Sequence, residues 1–128
     1  MNTKIDERLL LASSFLEQAW EELKGYCEKK DEVLLRQAAE KGWGCVVQAL
    51  KVVNPEIKRH AEFGKTALKL TEEYNNEEIF RLEAVGEHLH RAGFYEGFLD
   101  EEEVKHGLLS VEDFLKLING ILNGKGRH

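Results

Sequence analysis

A chain of 128 residues, 42% hydrophobic and 33% charged, has the size of one domain and enough apolar side chains to bury a core, which excludes a disordered polypeptide and makes a second domain unexpected. Its formal charge of -6 opposes loose binding to phosphate backbones or anionic lipid, both of which depend on clustered Lys and Arg. No stretch approaches the roughly 18 apolar residues of a membrane span, and the start MNTKIDERLL lacks the apolar centre of a signal peptide, so a cytoplasmic protein away from membranes is expected.

One Pro among abundant Leu, Ala, Glu and Lys favours long helices. The expectation is an all-α antiparallel up-and-down bundle of four main helices plus a short C-terminal helix. It forms one domain over residues 1–123, with 124–128 as a frayed tail. In the first helix Ile5, Leu9, Ala12, Leu16, Ala19, Leu23 and Tyr26 recur at spacings of four and three, the pattern of a buried stripe, with Thr3 as its cap. Asp31 caps a second helix whose stripe reads Leu35, Ala39, Gly42, Val46, Ala49 and Val53, ending before Pro55. Trp43, Val47 and Leu50 fall beside that stripe and widen it past one face, which calls for two helical neighbours or a subunit interface. Cys27 and Cys45 then sit at different heights of a hairpin, too far apart for a disulfide.

A third helix is expected over 57–74, closed by Asn75-Asn76, and a fourth from Glu77 to about Leu99 with Leu82, Gly86, Leu89 and Gly93 in line. The two glycines predict close approach to a neighbouring backbone. Residues 100–106 read as one acidic turn ended by Gly107. The last helix follows from a capping sequence Ser110-Val-Glu-Asp113.

Three constellations have chemical potential. Arg81, His88 and Tyr95 are spaced by sevens and line one stripe, where a guanidinium can stabilise phosphate charge and an imidazole can move a proton; polar residues flanking a seam also do this for packing alone. Glu87-x-x-His90 and Glu103-x-x-His106 have the spacing of di-metal bundles, but their heights disagree, and no metal or other cofactor is expected. Arg59-His60 follows the Pro break where a helix start attracts anions.

The segments from Arg36 to Lys51 and from His88 to Glu96, with Arg59-His60 between them, resemble the archaeal PaREP family, and through it the wider HEPN superfamily of helical domains. The resemblance implies an up-and-down bundle, often dimeric, found with a minimal nucleotidyltransferase or acting as an RNA-cleaving toxin. It also implies that His90, Phe94, Tyr95 and Glu96 are family-defining. The catalytic members of that superfamily carry Arg, four to six residues, then His, which Arg81 and His88 match, although Leu82 stands where those members have a polar residue.

Two functions of different class follow. The first is a non-catalytic module, a homodimer serving as partner or substrate-binding subunit of a nucleotidyltransferase-type protein, with Trp43, Arg59, His60, His90, Phe94, Tyr95 and Glu96 at its binding or interface surface. The alternative is a metal-independent endoribonuclease toxin, with RNA as substrate and Arg81 and His88 as catalytic pair.

Overall fold

The computed structural model describes residues 3–125, and its helices form an antiparallel bundle. They are α1 (Thr3–Lys29), α2 (Glu32–Val53), α3 (Ala61–Tyr74), α4 (Glu78–His88), which runs on without interruption into a π-helical segment (Leu89–Tyr95), and α5 (Glu101–Lys125). No helix is long and apolar enough to cross a membrane among the described residues. The side chain of Thr3, the expected cap, and the tail beyond Lys125 lie outside what is described.

The α1–α2 hairpin closes in two residues. Lys30 takes a left-handed conformation (φ 56°) and donates its backbone N–H to Tyr26 O, and Asp31 caps α2 by accepting from Val33 N at 3.0 Å. The apolar stripe of α1 is buried at Ala12, Leu16, Ala19 and Leu23, and Trp20 Nε1 ties α1 to α5 by donating to Glu112 Oε2 at 2.8 Å.

The wide apolar arc of α2 has its physical reason within the chain. This helix is central, packing against α1 on one side, α5 and the π segment on others, and more lightly against α3 and α4. Trp43 and Leu50 are buried accordingly, so the choice between helical neighbours and a subunit interface falls to the neighbours. Cys27 is exposed, Cys45 is buried, and both thiols are free. The two glycines of α4 and its continuation meet α2 as their spacing predicts. A Cβ on Gly86 would stand 2.9 Å from Val46 Cγ2, and one on Gly93 would stand 2.7 Å from Ala39 Cβ.

Three boundaries differ from expectation. First, α3 starts at Ala61 rather than near Ile57, because residues 55–60 turn after Pro55, and Ile57 is a buried plug instead of a helical residue. Second, the fourth helix ends short of Leu99. It widens into the π segment at Leu89, and Glu96 N closes it by donating to Arg91 O, five residues back. Third, no separate acidic turn precedes a short last helix. Asp100 and Glu103 form a reciprocal capping box, Asp100 N donating to Glu103 Oε1 at 3.0 Å and Glu103 N to Asp100 Oδ1 at 2.8 Å. From there α5 runs for 25 residues through Ser110. Gly107 does not stop it, because that glycine makes room for Leu89, whose Cδ2 lies 2.6 Å from where a Cβ would be; Leu89 Cδ1 also lies 3.1 Å from the corresponding point on Gly42.

Candidate functional site

The π segment positions the most unusual group of side chains in the molecule. A π helix turns through less than the ~100° per residue of an α-helix, so residues after Leu89 drift off the stripe that ordinary periodicity assigns them. His90 is swung against Trp43 on α2, and Tyr95 against His90, with ring centroids 5.5 and 4.9 Å apart. His60, at the residue just before α3, completes a triangle of rings. It stands 5.4 Å from Trp43 and 5.4 Å from His90, nearly parallel to the latter at 23°. Phe63 and Phe94 meet this group edge-on.

Each histidine has a carboxylate behind it. His90 Nδ1 lies 2.7 Å from Glu40 Oε1, and His60 Nε2 lies 3.1 Å from Glu87 Oε1. Behind Glu87 sits Glu83, 1% exposed, with an Oε2 that has no hydrogen-bond partner. Burial first, then the hydrogen bond to Glu87 and its charge, push the Glu83 carboxyl up to about 9, against a smaller opposing effect of Arg91. Glu83 is therefore a neutral acid at pH 7 and donates to Glu87. That bond, helped by His60, holds Glu87 below the usual carboxylate range in spite of its own partial burial.

The residues singled out from sequence fall into two places. Trp43, His60, His90, Phe94 and Tyr95 come together here, with the exposed side chains of Arg59 and Glu96 beside His60 and Tyr95 in the chain. Trp43 takes part as a buried wall, 5% exposed, so it offers no surface to a partner. Arg81 and His88 lie elsewhere, on the exposed side of α4. The Arg81 guanidinium is held in a two-pronged pair by Glu78, and His88 lines a cleft of about 400 Å³ with Asp100, Glu102, Glu103 and His106. Tyr95 leaves their stripe because of the π segment.

Neither Glu-x-x-His motif acts as a unit. Glu87 serves His60, while Glu103 caps α5. Among the described residues no group of three or more His, Cys, Asp or Glu side chains can hold a metal ion.

Glu40 and Glu83 were not singled out from sequence. A signal existed for Glu83. Ile79, Glu83, Gly86 and His90 fall at spacings of four, three and four, so a carboxylate and an imidazole share a line with two residues bound for the core. Arg36 was missed as well. Its Nε donates to Phe94 O at 2.8 Å and its Nη2 to Tyr95 O, which fastens the end of the π segment to α2.

The fold and this site define an all-α bundle whose fourth helix widens to bring two carboxylate-backed histidines against a buried tryptophan. Residues 7–115 match the model of the archaeal PaREP1/PaREP8 family, and the chain belongs to that family. It is also similar to a protein of Sulfolobus solfataricus known from a crystal structure, at 27% identity and a TM-score of 0.65, covering 84% of this chain and 96% of that one. A comparison with functionally curated proteins gives no match.

Proposed function

We propose that this protein is a HEPN-like interaction module that works as a homodimer in the cytoplasm, through the surface formed by the start of α2 and the end of the π segment. The observation that carries this reading is an apolar patch. Val33, Tyr95 and Phe98 are 60%, 64% and 75% exposed, and Val33 and Tyr95 share with Phe94 and Arg36 the lining of a hollow of about 370 Å³. Large apolar side chains grouped on a surface mark an interface, and the two bonds from Arg36 to the Phe94 and Tyr95 carbonyls hold this one in shape before any partner arrives.

A second copy of the chain is the occupant that the charges favour. The surroundings carry both signs, with Glu32 close in sequence to Lys29, Lys30 and Arg36, Glu96 next to Tyr95, and Glu101 reached by Lys30 at 3.5 Å. A two-fold contact lets a patch of mixed sign meet its own complement, whereas a nucleic acid calls for one sign only. A nucleotidyltransferase-type partner would then bind the dimer on another face. Two free thiols, one of them exposed, suit a reducing compartment.

Sedimentation velocity at micromolar concentration tests the reading. A dimer that Tyr95→Glu or Phe98→Glu converts to monomer is expected, and a wild type that is strictly monomeric overturns it. The endoribonuclease alternative has less behind it, since Glu78 occupies Arg81 and the carboxylates around His88 repel phosphate. RNA cleavage by the wild type, abolished in His88→Ala, would reinstate it.

A further inference from the structure

We infer that His60 and His90 form a two-histidine acid–base site for a phosphate ester, with Arg59 and Arg91 as its anion clamp. The proposal rests on the geometry around these two rings, and its site meets the dimer surface at Tyr95.

Each imidazole is held by a carboxylate at one nitrogen, which leaves His60 Nδ1 and His90 Nε2 without a hydrogen-bond partner among the described residues. This is the arrangement proton transfer requires. The carboxylate fixes the tautomer and the ring orientation, presents the other nitrogen, and stabilises the imidazolium once that nitrogen has taken a proton. The two rings are neighbours, 5.4 Å apart and nearly parallel, so one can remove a proton while the other supplies one to the same substrate. His60 is reached from solvent, its side chain being 42% exposed, while His90, at 14%, is set behind it against Trp43.

The substrate class follows from the cations. Arg59 precedes His60 and Arg91 follows His90, and both are exposed. Arg59 makes no ion pair among the described residues, and Arg91 makes one long contact, 3.7 Å to Glu87. Two guanidinium groups with most of their donors unused, each borne by the sequence neighbour of one histidine of the pair in a chain of net charge -6, match the oxygens of a phosphate group. Glu83 adds an independent mark. An uncharged carboxyl with an orphaned oxygen is kept buried directly behind Glu87, an arrangement of the kind that functional sites tolerate.

In the step that this geometry allows, the free nitrogen of one imidazole takes a proton from water as the water oxygen bonds to phosphorus. The bond from phosphorus to the ester oxygen breaks, and the protonated second imidazole gives its proton to the departing oxygen. An alcohol and a phosphate leave, and the rings return to their starting states by exchanging one proton with solvent. Glu87 and Glu40 are positioning residues, since they act through His60 and His90.

The test uses the whole protein with p-nitrophenyl phosphate and bis(p-nitrophenyl) phosphate as probes, and p-nitrophenyl acetate for comparison. Release of p-nitrophenolate from a phosphate probe with a bell-shaped pH profile is expected, falling by roughly 100-fold or more in His60→Gln and His90→Gln. Arg59→Gln and Arg91→Gln should raise KM more than they lower kcat, and Glu87→Gln should move a limb of the pH profile. His90 is packed in the ring stack, so if His90→Gln fails to fold, the exposed arginine variants and His60→Gln carry the test. No release from either phosphate probe, equal release by wild type and the histidine variants, or release from the acetate alone overturns the proposal. Phe98→Glu assayed in parallel keeps it separate from the dimer, since a monomer that retains release removes only the earlier reading.

Discussion

Glu83 carries a proton that Glu87 accepts, so two adjacent carboxyl groups four residues apart share one negative charge at neutral pH. The relationship makes stability depend on pH in a definite direction. A Glu whose folded value is about 9 binds its proton more tightly folded than unfolded, where the ordinary value is 4.5. Its contribution is complete below the unfolded value and is lost as pH rises toward 9. Glu87, held below 4.5 when folded, contributes above that pH and loses its contribution as pH falls through its lowered folded value.

Glu83→Gln keeps the shape and the donor to Glu87 but removes the titration. The variant is expected to melt a few degrees above the wild type at pH 8, and to lack the decline in melting temperature expected of the wild type between about pH 5 and 9. Circular dichroism melts across this range check both. Parallel pH curves for the two proteins would contradict the shared proton.

Close packing predicts opposite signs for two glycine substitutions. Gly86→Ala drives a Cβ to 2.9 Å from Val46 and 3.2 Å from Trp43, and is expected to destabilise by roughly 1–3 kcal/mol. Gly120→Ala meets nothing within 4 Å on a helix and is expected to stabilise by about 0.4–1 kcal/mol. Urea unfolding at constant slope measures both.

Where α5 begins can be weighed directly. Asp100→Ala removes the acceptor for Glu103 N and is expected to cost about 1 kcal/mol, whereas Ser110→Ala, in mid-helix, is expected to change stability by under about 0.5 kcal/mol. The reverse order would restore a separate C-terminal helix starting at Ser110.

Arg36→Ala frees the Phe94 and Tyr95 carbonyls, and amide hydrogen exchange over 94–98 should quicken by roughly tenfold while α1 stays protected. Arg36→Lys should not rescue it, since one ammonium cannot reproduce the two-nitrogen fork. Exchange unchanged across 94–98 would mean that the π segment holds its end without this clamp.

Much of the bundle was legible because it follows from local periodicity. The stripes of α1 and α2, the Asp31 cap, the Pro55 stop and the glycine approach of Gly86 and Gly93 all express the 3.6-residue repeat or backbone preferences within a few positions. What escaped was set by partners distant in the chain. Nothing local to Leu89 announces a π segment. Gly107 looks like a stop until Leu89 is found above it. Trp43 read as a surface residue because its covering rings come from His60, 17 positions on, and from His90 beyond a further helix. For the site, residue types pointed to histidines and aromatic rings that the fold brings together. Their carboxylate partners were hidden, since Glu40 and Glu83 resemble any other acid in a chain with 24 of them until one is seen to be buried.

The Leu89 side chain, wedged between Gly42 of α2 and Gly107 of α5, leaves a signature that evolution should have written into relatives. One isobutyl group lies over both missing methyl groups, and at Gly42 it shares that place with Leu108, whose Cδ2 stands 2.7 Å from where a Cβ would be. A relative with Ala or Val at the position of Leu89 has room for Ala at Gly107, whose three nearest neighbours are all Leu89 atoms, while Gly42 stays closed by Leu108. One that keeps Leu should keep both glycines, however far the rest of its sequence has drifted.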